Sequence, residues 1–165
     1  MNEVEKEYQA TLEYLYKFVD YSLMRNFRNS PETFDLGRMR ELARALGDPQ
    51  EKYPIIHVAG TKGKGSVSAL CASALREAGF RVGLYTSPHL NDFAERIQFE
   101  GQPIPHADMV RLVEQQRSIL ESIPRVTFFE ITTALAFLYF AQKGTTAAVI
   151  EVGLGGRLDA TNICQ

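Results

Sequence analysis

The sequence predicts an α/β fold, a parallel sheet with helices on both faces, and three observations carry that expectation. Short apolar runs at 55–59, 81–85 and 147–152 read as buried strands. Segments with helical apolar spacing lie between them, the alternation that a parallel sheet produces. Glycine-rich turns, Gly60 to Gly65 and Gly153 to Gly156, follow two of the runs, on the edge where an open α/β sheet carries its ligand loops.

In chain order, Val4, Tyr8, Leu12, Leu15, Val19 and Leu23 recur at helical steps and predict an opening amphipathic helix. The polar stretch Arg25 to Thr33, with Pro31, reads as a loop. Leu36, Met39, Leu42, Ala43 and Leu46 give a second helix, closed by Gly47 and then Pro49. The strand at 55–59 leads through the glycine-rich loop into a helix at 66–78, stopped by Gly79. A second strand covers 81–85. Thr86 to Arg96, with Pro88, has no helical period, and Ile97 to Glu100 reads as a short strand turning at Gly101. Met109, Leu112, Val113, Ile119 and Leu120 place a helix at about 106–122, and 127–142 reads as another. The strand at 147–152 follows. Three or four strands leave at least one sheet edge uncovered.

One domain of 165 residues has room for a proper core. With 45% apolar and 23% charged residues the composition is that of a globular protein, and a net charge of −2 without a basic stretch gives no nucleic-acid-binding face. The acidic start, Met1 to Glu7, is unlike a secretory signal, and the apolar stretch Ala134 to Ala141 is too short to span a bilayer. Cys71, on a helix expected to be buried, and Cys164 lack metal-ligand spacing. Both read as reduced thiols of a cytoplasmic protein with no membrane partner.

The segment Gly60-Thr61-Lys62-Gly63-Lys64-Gly65-Ser66 puts three glycines and two lysines in seven positions between a strand and a helix. Bare backbone N–H groups there can close around a phosphate chain. A plain glycine turn would explain the glycines but not the crowded lysines. The usual phosphate-loop pattern is nonetheless broken twice: Val58 stands at the first glycine position, and Gly65 where a hydroxyl should follow the lysine. Lys64 would reach the β- and γ-phosphates, and Ser66 is expected to open the helix whose positive end faces the nucleotide. Without that hydroxyl, an oxygen ligand for Mg²⁺ must come from elsewhere. Ser87, leaving the neighbouring strand, and Glu151, a carboxylate ending an apolar strand, are the candidates. A turn serine and a salt-bridged strand end are the plainer readings of each alone.

Four co-linear blocks resemble the folylpolyglutamate synthases, including the bifunctional dihydrofolate synthases, of the Mur ligase superfamily. They are Ile56 to Ser66; Tyr85-Thr86-Ser87-Pro88-His89-Leu90 with Glu95-Arg96-Ile97; Thr127-Phe128-Phe129-Glu130; and Glu151 to Asn162. The likeness runs from about Phe34 to the last residue. It implies ATP-dependent amide ligation: a substrate carboxylate attacks the γ-phosphate, and the amine of L-glutamate then attacks the acyl phosphate. Phosphoryl transfer of this kind is mainly positioning and charge neutralisation. By the resemblance Gly60, Thr61, Lys62, Gly63, Lys64, Gly65 and Ser66 bind ATP, with Lys64 in the catalytic role. Ser87 and Glu151 hold Mg²⁺, and Thr127, Phe129 and Asp159 bind the pterin of dihydropteroate or folate.

An aromatic face suits a flat heterocycle, and a carboxylate suits its amino-pyrimidine edge. A helix-start core pair for Phe128 and Phe129 and an Asx turn at Asp159 compete with those roles. His57 reads as a hydrogen-bonded core residue, His89 as either a folate-mouth or a solvated loop residue, His106 as a helix cap or solvated group, and Arg157 as a surface ion-pair partner or else a ligand contact. The resemblance also implies a longer protein, a monomer when complete. A later metal-binding histidine, a lysine that becomes carbamylated and a C-terminal domain are not in these residues. Residues 1–165 are thus expected to be the N-terminal part of an incomplete Mur-ligase ATPase domain, inactive in ligation alone. A non-catalytic nucleotide-binding module and a Mur-type ligase acting on a cell-wall precursor are the alternatives.

Overall fold

The computed structural model describes residues 2–18 and 36–164. Five strands form one sheet: β1 at Ile55–Val58, β2 at Val82–Tyr85, β3 at Ile97–Phe99, β4 at Gln102–Pro103 and β5 at Ala147–Glu151. Their spatial order is β1-β5-β2-β3-β4. β1, β5 and β2 run parallel, whereas β3 and β4 are antiparallel additions. The parallel expectation therefore holds for the three strands that carry the loops and misses the hairpin. Glu100 and Gly101 adopt positive φ, +53° and +76°, and a reversal that tight can join only antiparallel strands.

The last parallel strand slots between the first two. Val58 of β1 lies opposite Glu151 of β5, and Ile150 lies opposite Tyr85 of β2. The loops leaving all three strands consequently meet at one sheet edge, with Glu151 in the middle. That single fact of topology positions the site.

Helices cover the two faces unequally. α3, Lys64–Glu77, lies on one face over Val58, Val82, Leu84 and Val149 with its own Ala72. The opposite face carries the main core, built around α5, Phe128–Gln142. Around α5 pack α1 (Glu3–Leu15), α2 (Leu36–Ala45) and α4 (His106–Ser122). α5 is buried almost throughout, so its sequence is apolar on every side rather than striped. Its fit against the sheet is close: a Cβ on Gly83 of β2 would stand 2.6 Å from the Phe140 ring. No side chain but hydrogen fits there.

Several boundaries differ from expectation. α3 begins at Lys64, not Ser66, because Gly63 at φ +77° is its N-cap. The irregular stretch before β3 contains a 3-10 turn, Phe93–Arg96, closed by a capping box between Asp92 and Glu95. Cys71 is half-buried at the α3 face rather than buried. The predicted positions Val19 and Leu23 and the loop Arg25 to Thr33 lie outside the described residues. Among the described residues no helix is long and apolar enough to cross a membrane.

Candidate active site

The phosphate loop is open and its donors are unspent. Residues 59–63 are exposed, and Gly63 provides no side-chain hydrogen bond to the start of α3. The first N–H groups of a helix have no intrahelical acceptor, so here they point outward without a cap. Add the positive end of α3 and Lys64 at its first position, and the loop is a ready anion site. Ser66 is exposed in the first turn of α3, inside the helix rather than at its cap.

Beside this cradle stands Glu151, 6% exposed at the end of β5. Its Oε2 accepts the Ser87 N–H at 3.2 Å. A Cβ on Gly65 would lie 3.5 Å from Oε2 and 3.7 Å from Oε1. The carboxylate thus faces the spot where the ordinary loop carries a hydroxyl. Among the described residues it has no cationic partner, an arrangement that is costly for a buried carboxylate. Ser87 lies next to it on the loop leaving β2, and the Ser87–Pro88 peptide is cis. The structure brings Ser87, Glu151 and Gly65 to one corner. Carboxylate and hydroxyl oxygens are the donor set that suits Mg²⁺, which keeps several water and phosphate ligands and needs few from protein. No group of three or more His, Cys, Asp or Glu among the described residues is arranged to hold a metal ion.

Two residues beyond Glu151 the second predicted subsite begins. A Cβ on Gly153 would lie 2.5 Å from Phe129 Cζ and 3.1 Å from Asp159 Oδ2. Phe129 and Asp159 therefore meet over this glycine, and only glycine lets the backbone approach them. Phe129 is half-buried, with Tyr85 at 6.2 Å between ring centroids, while Phe128 is buried in the core. The core reading is thus right for Phe128. Asp159 is also a turn former: Oδ1 accepts the Thr161 N–H and hydroxyl at 3.0 and 2.5 Å, and Oδ2 accepts the Leu154 N–H at 2.7 Å.

Thr127 caps α5. Its Oγ1 accepts the Glu130 N–H at 3.2 Å, and Glu130 Oε2 accepts the Thr127 N–H at 2.8 Å. The Thr127 hydroxyl is thereby already engaged, a constraint that its motif match does not reveal. Glu130 also binds Arg38 of α2 through both carboxylate oxygens, at 3.0 Å from Nε. This buried pair locks α2 to the start of α5.

His57 of β1 is hydrogen-bonded, as expected, whereas His106 departs from expectation. Thr161 gives its only hydroxyl proton to Asp159, so it must accept at 2.8 Å from His57 Nε2–H. That fixes the tautomer and ties β1, just before the cradle, to Asp159. Burial lowers the His57 pKa, against the pull of Asp159. His106 is neither a cap nor solvated. Its ring stacks on Tyr8 at 3.7 Å and lies between Glu5 and Asp92, 2.9 Å from each. Arg157 is exposed and has no ion-pair partner among the described residues, contrary to expectation. Arg96 and the Arg38–Glu130 pair are functional-site neighbours that the sequence reading did not single out. Only Glu130, a charge in an otherwise apolar block, carries a sequence signal; Arg38 and Arg96 are each one charge among several.

An open phosphate cradle, a carboxylate at the lysine's vacant hydroxyl position and an aromatic ring meeting an aspartate on the same edge are the features of an α/β domain built to take an anionic ligand. No protein-family model matches the chain. It is 46% identical over 136 residues to the dihydrofolate synthase/folylpolyglutamate synthase of Bacillus subtilis, a match covering 79% of this chain and 32% of that protein. The crystal structure of folylpolyglutamate synthase from Thermotoga maritima superposes with a TM-score of 0.86 at 41% identity, covering 98% of this chain and 36% of the other. The Mycobacterium tuberculosis folylpolyglutamate synthase complexed with ADP gives a TM-score of 0.86 at 34% identity, over 98% and 35%. In sequence and in fold the chain is a homologue of the folylpolyglutamate and dihydrofolate synthases. It spans about a third of the length of the relatives it matches.

Proposed function

We propose that the chain forms the nucleotide- and acid-binding part of an ATP-dependent ligase joining L-glutamate to dihydropteroate or folyl-glutamates. The observation that carries this reading is the Glu151 carboxylate, buried without a cation and aimed at Gly65 beside the Ser87 N–H. It supplies the oxygen that the loop lacks. Relatives named for dihydrofolate and folylpolyglutamate synthesis, one complexed with ADP, support the same reading.

In this mechanism the backbone of 60–66 and Lys64 hold the triphosphate and neutralise charge as the γ-phosphoryl group moves to the acid substrate. Glu151 and Ser87 would hold Mg²⁺, which supplies charge stabilisation at the phosphates when bound. Phe129 offers a face to the pterin, and Asp159 offers the remaining lone pairs of Oδ2 to its amino edge. Thr127 shapes the pocket as the cap of α5. The amine of L-glutamate then displaces phosphate from the acyl phosphate. Residues 1–165 stand for the N-terminal part of the ATP-binding domain of a cytoplasmic protein that is a monomer when complete. The rest of a relative's length is needed for the glutamate step.

Calorimetry with ATP and Mg²⁺ on this chain, paired with amide formation by a chain of a relative's full length carrying these residues, tests the proposal. Magnesium-dependent ATP binding that Glu151→Gln abolishes, together with glutamate-dependent ADP release by the longer chain, is the expected outcome. ATP binding indifferent to magnesium and to Glu151 would overturn it.

A further inference from the structure

We propose that Arg96 receives the ionised carboxyl group of the acid substrate at the mouth of the pocket beside α5, an inference that rests on the ligase reading above. Arg96 ends the 3-10 turn before β3 and is 9% exposed. The rings of Phe93 and Phe128 lie 5.6 and 5.5 Å from its guanidinium carbon. Its Nε donates to His89 Nδ1 at 2.9 Å. A ring nitrogen that accepts carries no proton, so His89 is neutral and contributes no counter-charge.

Among the described residues no carboxylate pairs with Arg96, and its two terminal nitrogens make no hydrogen bond. Arg38, similarly buried and close to the same end of α5, has Glu130. The contrast is informative. A buried guanidinium is costly unless an anion meets it, and aromatic faces ease that cost without cancelling the charge. The planar fork that remains is matched in shape by a carboxylate.

Its location fits the acid end of the substrate. The Arg96 carbonyl accepts the Thr86 N–H at 3.0 Å, placing Arg96 beside the loop that carries Ser87. The Tyr85 hydroxyl lies within electrostatic reach of both Arg96 and Asp159, and the Tyr85 ring neighbours Phe129. A molecule with its heterocycle on Phe129 and Asp159 and its carboxylate near Ser87 passes this cation.

The test compares pteroate with its carboxamide, which keeps both ring systems and loses the charge, and with ATP and Mg²⁺, each by calorimetry. The wild-type chain should prefer the acid. Arg96→Met should weaken pteroate at least tenfold and leave the carboxamide and ATP unchanged. Arg96→Lys keeps the charge without the fork, and should fall between the two. If Arg96→Met fails to fold by circular dichroism, the acid-to-amide preference of Arg96→Lys decides, and a preference equal to wild type refutes the assignment. Equal loss of acid and amide refutes it too, as would loss of ATP alone or unchanged acid binding by Arg96→Met. If the wild type binds neither ring compound, the folate reading itself fails.

Discussion

The phosphate cradle and the aromatic pocket share one sheet edge but are built in opposite ways. The cradle is exposed backbone with its hydrogen-bonding capacity unspent. The pocket is buried side chains whose polar atoms are largely committed: Thr127 and Glu130 to each other, Asp159 to Thr161 and Leu154, Glu130 to Arg38. A loop that binds phosphate through N–H groups needs little support from side chains. On the proposed reading, a site that holds a flat heterocycle against a helix end needs its walls fixed beforehand, and here the same residues hold one another in place.

Glu130→Ala should separate the two regions most sharply. It leaves the buried Arg38 unpaired from Glu130 and removes half of the capping box. A destabilisation of about 3–5 kcal/mol follows, or roughly 10 °C in Tm, read by thermal melting. At a temperature where the variant is folded, its ATP affinity should match wild type, because no cradle residue touches Glu130. A matching loss of ATP affinity would mean that the two regions are one unit.

Lys64→Met probes the other side. Losing a charge-assisted contact of roughly 1.5–3 kcal/mol would weaken ATP about 10- to 150-fold in calorimetry. Stability should stay within about 0.5 kcal/mol, since the Lys64 side chain makes no ion pair or hydrogen bond among the described residues.

The same contrast decides what a reader of the sequence can see. The cradle is legible because backbone chemistry forces glycine and lysine into a short, unusual string. Glu151 is legible because a lone acid ending an apolar strand needs a reason. The pocket is less so: Thr127 and Asp159 are ordinary capping residues by local rules, and only their meeting with Phe129 across Gly153 shows more. Arg96 reads as one charge among several near Glu95. Its burial depends on Phe128, distant in sequence, and its lack of an acid is a property of three dimensions. Of the β3–β4 hairpin, β3 and its turn at Gly101 are legible, but β4 escapes because it is two residues long, too short for any periodicity.

Thr127 sharpens the comparison by dividing cap from ligand contact. Thr127→Val removes the Oγ1 acceptor for the Glu130 N–H and should cost about 1 kcal/mol, within the 0.5–2 kcal/mol span for lost caps. Thr127→Ser keeps the oxygen and should restore the melting temperature. If serine also restores pteroate affinity, the hydroxyl is what the pocket needs. If affinity stays low in a fully stable serine variant, the methyl group forms part of the pocket wall.

The smallest expected effect is a pH dependence that belongs to the pocket and not to the cradle. Burial, then Arg96, depresses the folded-state pKa of His89, with Glu95 and Asp92 opposing, and burial depresses that of His57. A group depressed in the folded state contributes stability above its unfolded pKa, about 6.5 for histidine, and loses it as pH falls towards the folded value. Acidification from neutrality should therefore lower Tm, read by thermal melting as pH falls below about 6.5. Asp92 and Asp108, also depressed, act only below about pH 4 and leave this window untouched. Protonated His89 can no longer accept from Arg96, so pteroate affinity should fall in the same range while ATP affinity does not. His89→Gln keeps an acceptor that does not titrate, and should flatten the affinity slope and remove the His89 share of the Tm slope, leaving that of His57. Should the glutamine variant keep the wild-type slope, Arg96 is held by something other than His89.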